Sequence, residues 1–167
     1  MLSKPSIENQ VRNTFIIFSV FLFSITIISC GGSDDNVTVP TNGLFVTVGD
    51  VGTILTSSDG TAWDNRISGT TYNLVGITYV NSTFVTVGDN GTILVSSNGT
   101  TWTSRTSGTI NNLSGVTHGN NTFVTVGDNG TILTSSDGTT WTKRTSGTSE
   151  HLYEVTYGEG LFVVVGE

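Results

Sequence analysis

A segment of this chain returns every 39 residues, and no other feature limits its folding as much. Leu44 opens LFVTVGD, Thr83 and Thr122 open TFVTVGD, and Leu161 opens LFVVVGE, at one spacing throughout. Trp63, Trp102 and Trp141 keep the same interval. Residues 83–121 and 122–160 agree at 28 of 39 positions, so the units reflect duplication and are expected to share one local structure. A unit this short cannot cover both faces of its own structure, so copies must stack to make a core.

Within the second unit, turn residues cut out four short strands, a to d: NLVGITY (Asn73–Tyr79), TFVTVG (Thr83–Gly88), TILVSS (Thr92–Ser97) and TWTSRT (Thr101–Thr106). Asp89-Asn90-Gly91 joins b to c, and Asn98-Gly99 joins c to d. Asn-Gly and Asp-Gly pairs supply the positive φ angles of tight antiparallel hairpins, which predicts an up-and-down sheet for each unit. The Phe-Val-x-Val run of strand b reads as an inner strand covered on both faces, and Thr, Ser and Arg around one Trp suit strand d at the outer edge. A four-stranded repeat of about 40 residues with a recurrent Trp is the mark of a propeller blade. The fold class expected is therefore all-β: a β-propeller-type array of four-stranded antiparallel blades. The blades are 44–82, 83–121, 122–160 and a partial 161–167, a little over three repeats. Closed propellers normally hold about four to eight blades, so two readings stay open: copies of the chain associate to complete a ring, or the reading frame is truncated.

SSDGTTW (Ser135–Trp141) resembles the Asp-box, or BNR repeat, whose usual form is Ser-x-Asp-x-Gly-x-x-Trp. The whole unit is similar to the BNR-type blades of photosystem II stability and assembly factors and of sialidase-like proteins, across Leu44 to Glu167. Here Asp directly precedes Gly in Asp59-Gly60 and Asp137-Gly138, and Asn98 replaces Asp in the middle copy. The residues of these turns are Asp59, Gly60 and Trp63; Asn98, Gly99 and Trp102; and Asp137, Gly138 and Trp141. Their recurrence at every outer hairpin argues for turn structure, because a catalytic acid is needed only once. Sialidase chemistry needs an arginine cluster, yet Arg66, Arg105 and Arg144 recur one per outer strand, where pairing with nearby acids is the expectation.

The N-terminus has a different composition. After Lys4 and Arg12 comes FIIFSVFLFSITIIS (Phe15–Ser29), 15 uncharged residues, shorter than a spanning helix and suited to the apolar core of a secretory signal. The only cysteine of the chain, Cys30, follows at once. IISC (Ile27–Cys30) resembles a relaxed bacterial lipobox, which implies a signal peptide over 1–29, cleavage before Cys30 and acylation of the new N-terminus. An uncleaved signal anchor is the alternative. Residues 30–43 carry the acylated Cys and a flexible tether of small and acidic residues. The expected address is the bacterial cell envelope, lipid-anchored, with the membrane itself as one partner.

From Cys30 onward four basic side chains face twelve acidic ones, which argues against nucleic acid as a partner. His118 stands where Tyr79 and Tyr157 stand in other units, and His151 where Asn73 and Asn112 stand, so no metal site is expected and no cofactor. No nucleophile elbow or phosphate loop occurs. The chain thus reads as a non-enzymatic lipoprotein scaffold that binds a protein through the loops where the repeats differ most, Thr71–Asn73, Ile110–Asn112 and Ser149–His151, with Tyr72, Asn112, His151, Tyr153 and Glu154 as candidate contacts. The runner-up is a carbohydrate-binding or degenerate sialidase-like module; a repeat remnant without function of its own is third.

Overall fold

The computed structural model of this protein describes residues 43–167. Among the described residues, thirteen strands form four antiparallel sheets, each in chain order. The first contains β1 (Phe45–Val48), β2 (Ile54–Ser57) and β3 (Asp64–Arg66). The second contains β4 (Leu74–Val80), β5 (Thr83–Gly88), β6 (Ile93–Ser96) and β7 (Thr103–Arg105). The third repeats that pattern with β8 (Leu113–Gly119), β9 (Thr122–Gly127), β10 (Thr131–Ser135) and β11 (Thr142–Arg144). The fourth holds β12 (Leu152–Gly158) and β13 (Leu161–Gly166). The all-β, up-and-down organisation expected from the repeats is what the described residues adopt.

Successive sheets are joined face to face by apolar clusters. Val46, Val48 and Ile54 of the first sheet meet Leu74, Leu94 and Trp102 of the second. Val85, Val87, Ile93 and Val95 of the second meet Leu113, Phe123, Leu133 and Trp141 of the third. Val124 and Val126 of the third meet Leu152, Val155, Phe162 and Val164 of the fourth. Strand alternation explains this traffic: in β5, Val85 and Val87 look toward the following sheet while Phe84 lies on the other face beside Trp102 of its own sheet. Because both faces are covered, β5 and β9 are buried along almost their whole length. Each such buried Val, Leu or Ile is worth about 1.5–3 kcal/mol, which a lone sheet could not collect on both faces.

The threonine inside the apolar run has its own reason. A register shift between Leu74 and Gly76 bulges β4, and the fully buried Thr86 hydroxyl donates to the Gly76 carbonyl at 2.8 Å. Thr125 makes the same bond to Gly115, also 2.8 Å. A hydroxyl on the inner strand thus satisfies a carbonyl that the bulge withdraws from the ladder. In the fourth sheet Val164 and Glu154 occupy these places, and the bulge remains.

Turn chemistry matches the sequence between b and c but not between c and d. Asn90 and Gly91 both have positive φ, 53° and 65°, as a hairpin that follows the sheet twist requires. A side chain at Gly91 would sit 2.1 Å from the Thr109 carbonyl, so the position needs glycine twice over. The c-to-d link is longer than the expected two residues: β6 ends at Ser96, β7 begins at Thr103, and Trp102 lies in the connection rather than in strand d. The carboxylate or carboxamide at its centre organises a wider turn than an Asn-Gly hairpin. The a-to-b hairpins, whose turn chemistry the sequence reading did not use, carry positive φ at Asn81 and Ser82 and at Asn120 and Asn121.

Candidate functional site

The Asp-box turns are self-contained. Asp137 Oδ1 accepts hydrogen bonds from the Ser135 hydroxyl at 2.9 Å and from the backbone N–H of Thr139 and Thr140 at 2.8 and 2.9 Å. Its Oδ2 accepts from the Thr139 hydroxyl at 2.6 Å. Asp59 holds the N–H of Thr61 and Ala62 in the same way, at 2.8 and 3.1 Å. These donors keep both carboxyls well below the ordinary carboxylate range, led by the Thr61 N–H at Asp59 and the Thr139 hydroxyl at Asp137. Asn98 makes the same set through Oδ1, to Thr100 and Thr101 N–H at 2.9 Å each. An amide performs the turn function as a carboxylate does, so these residues act as braces.

The tryptophans close the turns. Trp102 and Trp141 Nε1 donate to the carbonyls of Gly99 and Gly138, each at 3.0 Å, and their rings pack against the preceding sheet. Phe84 and Phe123 lie beside them, with ring centroids 6.2 and 6.5 Å away.

The arginines depart from expectation. Only Arg66 pairs with an acid among the described residues, Asp64 at 3.1 Å on the surface. Arg66 and Arg144 Nε instead donate to Thr56 and Thr134 Oγ1, each at 2.8 Å. The middle repeat has Val95 at that position, and Arg105 Nε is buried there with no hydrogen-bond partner among the described residues. One change in the repeat, from Thr to Val, accounts for the orphaned donor.

At the other end of the repeat, each d-to-a loop is latched to the b-to-c turn of the sheet before it. Asn73 Oδ1 accepts from Val51 N–H and Asn112 Oδ1 from Asn90 N–H, both at 2.9 Å. In the third loop His151 Nδ1 meets Asp128 Oδ1 at 2.8 Å, an imidazole–carboxylate version of the same latch. Asp128 raises the His151 pKa above its ordinary value. Asn112 and His151, anticipated as partner contacts, therefore also hold neighbouring sheets together. Tyr153 stacks near His151 with a ring separation of 6.5 Å and donates its hydroxyl to Glu167, which raises the Tyr153 pKa. Glu154 Oε1 accepts the Val155 N–H at 3.0 Å. His118 packs on Phe123 at 4.6 Å, as Tyr79 does on Phe84 at 4.2 Å, and burial lowers its pKa.

This latched end is divided chemically. Over the third and fourth sheets it carries Asn111, Asp128, Asn129, Glu150 and His151. Over the first two sheets, Val51, Ile67, Tyr72 and Ile110 line two adjoining grooves that share Gly69, Thr70 and Tyr72. Ile67 and Ile110 are 89% and 81% exposed, far beyond what a packing role needs. Each of the four replaces polar residues of the other repeats: Val51 stands for Asn90 and Asn129, Ile67 for Thr106 and Thr145, Tyr72 for Asn111 and Glu150, Ile110 for Thr71 and Ser149. Of these, Tyr72 and the loop that Ile110 opens were expected from sequence; Val51 and Ile67 were legible as repeat differences, but the convergence of all four on one surface was not.

Among the described residues no group of three His, Cys, Asp or Glu is placed to hold a metal ion, and no helix is long and apolar enough to cross a membrane. Cys30, the signal segment 1–29 and most of the tether lie outside the described residues. No protein-family model matches the chain, and no curated protein matches it.

Proposed function

We propose that this protein is a non-enzymatic, lipid-anchored scaffold of the bacterial envelope, built from propeller-type blades of the Asp-box kind, that docks a protein partner on its latched loop end. The observation that carries the reading is the cluster of Val51, Ile67, Tyr72 and Ile110. Four exposed apolar side chains replace polar residues of sibling repeats, and all four border one continuous pair of grooves. Exposed apolar side chains gathered around one pair of grooves mark interaction sites, and an aromatic such as Tyr72, shared by both grooves, is the usual anchor. The braced Asp-box turns support a structural role for that motif, and the lipobox-like segment supplies the anchor.

The test is site-specific photo-crosslinking in the native envelope. A photoreactive residue at position 72 or 110 should yield one discrete adduct, while the same residue at Lys143, on the outer strand β11, should yield none. Equal labelling from all three positions would refute the docking surface. Specific binding on a glycan array that is lost on Tyr72→Ala would replace the protein partner with a carbohydrate.

A further inference from the structure

The loop before β8 carries Asn111 where the loop before β4 carries Tyr72. Asn111 turns its carboxamide onto the β9–β10 turn: Nδ2 donates to Thr131 Oγ1 at 2.9 Å and to the Asp128 carbonyl at 3.3 Å, and Oδ1 accepts from Asn129 Nδ2 at 3.3 Å. Thr131 is fully buried there. One repeat earlier the same three groups recur on the β5–β6 turn as Thr92 Oγ1, the Asp89 carbonyl and Asn90 Nδ2. The two turns share one backbone: φ is 53° at Asn90 and 54° at Asn129, 65° at Gly91 and 62° at Gly130. In both, the aspartate carbonyl also accepts the threonine N–H at 3.1 Å. Tyr72, however, offers no carboxamide, and among the described residues Thr92 Oγ1, the Asp89 carbonyl and Asn90 Nδ2 have no side-chain partner. Thr92 is partly exposed, and it lines one groove together with Asn90, Tyr72 and Ile110.

We infer that this groove binds a side-chain carboxamide, an Asn or Gln of the docked protein, in the place that Asn111 holds one repeat on. Its NH2 donates to Thr92 Oγ1 and the Asp89 carbonyl, its oxygen accepts from Asn90 Nδ2, and apolar residues beside it rest on Tyr72 and Ile110. The chain is its own template, because a turn of the same backbone already binds a carboxamide through the same three groups. The chemistry is selective. A carbonyl only accepts, so the Asp89 carbonyl demands a donor, which an amide has and an ionised carboxylate lacks. A purely apolar occupant would bury the three polar groups unpaired, a cost that the carboxamide removes. Tyr72 thus has two parts in recognition: it withholds the chain's own carboxamide and supplies an aromatic wall. This subsite rests on the docking function proposed above and gives the chemistry of what docks.

The experiment titrates the full-length, nitrogen-15-labelled chain in mild detergent with two blocked peptides, acetyl-Leu-Gln-Leu methyl ester and its Glu counterpart, followed by NMR. The Gln peptide is expected to move the backbone amide signals of Asp89, Asn90 and Thr92, and the Glu peptide to leave them in place. Binding should weaken about fivefold in Thr92→Val, which loses one neutral hydrogen bond, and persist in Thr92→Ser, which keeps the hydroxyl. Circular dichroism checks that both variants retain their sheets. No movement with the Gln peptide, equal movement with the Glu peptide, or undiminished binding to Thr92→Val overturns the inference. Photo-crosslinking from position 110 in the native envelope reads the docking function separately. An adduct from a chain that ignores the Gln peptide refutes the carboxamide subsite and leaves the docking surface, whereas peptide binding without any adduct upholds the subsite and refutes the docking function.

Discussion

Replacing Val95 by Thr should stabilise this protein, although it places a hydroxyl in an apolar cluster. Val95 is nearly buried beside the orphaned Nε of Arg105. In the flanking repeats a threonine at this position accepts the equivalent Nε–H at 2.8 Å, so the geometry for the bond is set by the fold. A hydrogen bond to a charged group contributes about 1.5–3 kcal/mol net when it relieves a buried unpaired donor. Exchange of a buried methyl for a hydroxyl gives back about 0.8 kcal/mol of burial. The balance is a gain of about 1 kcal/mol. Urea denaturation followed by tryptophan fluorescence should therefore show a raised midpoint at an unchanged slope. The sign should reverse in an Arg105→Met background, where the new hydroxyl has no donor to satisfy, and this double-mutant cycle isolates the pair. A Val95→Thr variant that loses stability in both backgrounds would falsify the account. Thr134→Val gives the contrast: Arg144 is exposed, so water replaces the lost acceptor, and the change should stay within about 0.5 kcal/mol.

Asp137→Asn should fold with nearly the stability of the parent, because Asn98 already supports the same turn through Oδ1, whereas Asp137→Ala strands two backbone N–H groups and should lower the denaturation midpoint clearly more. Gly99→Ala should cost more than Gly60→Ala: both positions have φ above 70°, but only at Gly99 would the methyl run into Leu44 and Val46. The difference between the two thermal midpoints isolates that packing clash. The histidines should pull stability in opposite directions with pH. His151 has a folded pKa raised by Asp128, so its contribution is complete below the unfolded value near 6.5 and fades as pH rises through the folded one. His118 has a lowered folded pKa, so acidification through 6.5 favours the unfolded chain. In His118→Tyr, acid sensitivity should fall, and NMR titration of the two imidazoles checks both directions.

The repeat period, the strand boundaries of b and the positive-φ hairpins between b and c were legible in the sequence because each rests on local chemistry: a fixed interval, a run of apolar residues, an Asn-Gly pair. The c-to-d turn was not. Asp-Gly in SSDGTTW looks like a two-residue hairpin until the carboxylate is seen to collect N–H groups two and three residues ahead and to push Trp141 out of the strand. Nor could the sequence anticipate the orphaned Arg105. Its cause lies ten residues away, and only strand pairing brings Val95 beside it. His151 and Asp128 are likewise 23 residues apart and meet because one sheet stacks on the next. Periodicity by itself determined that this chain forms small antiparallel sheets that must stack, since the unit is too short to bury itself. The tertiary structure alone decided which faces those sheets share and which variable residues gather at the loops, because side chains one repeat apart become neighbours only across a sheet interface.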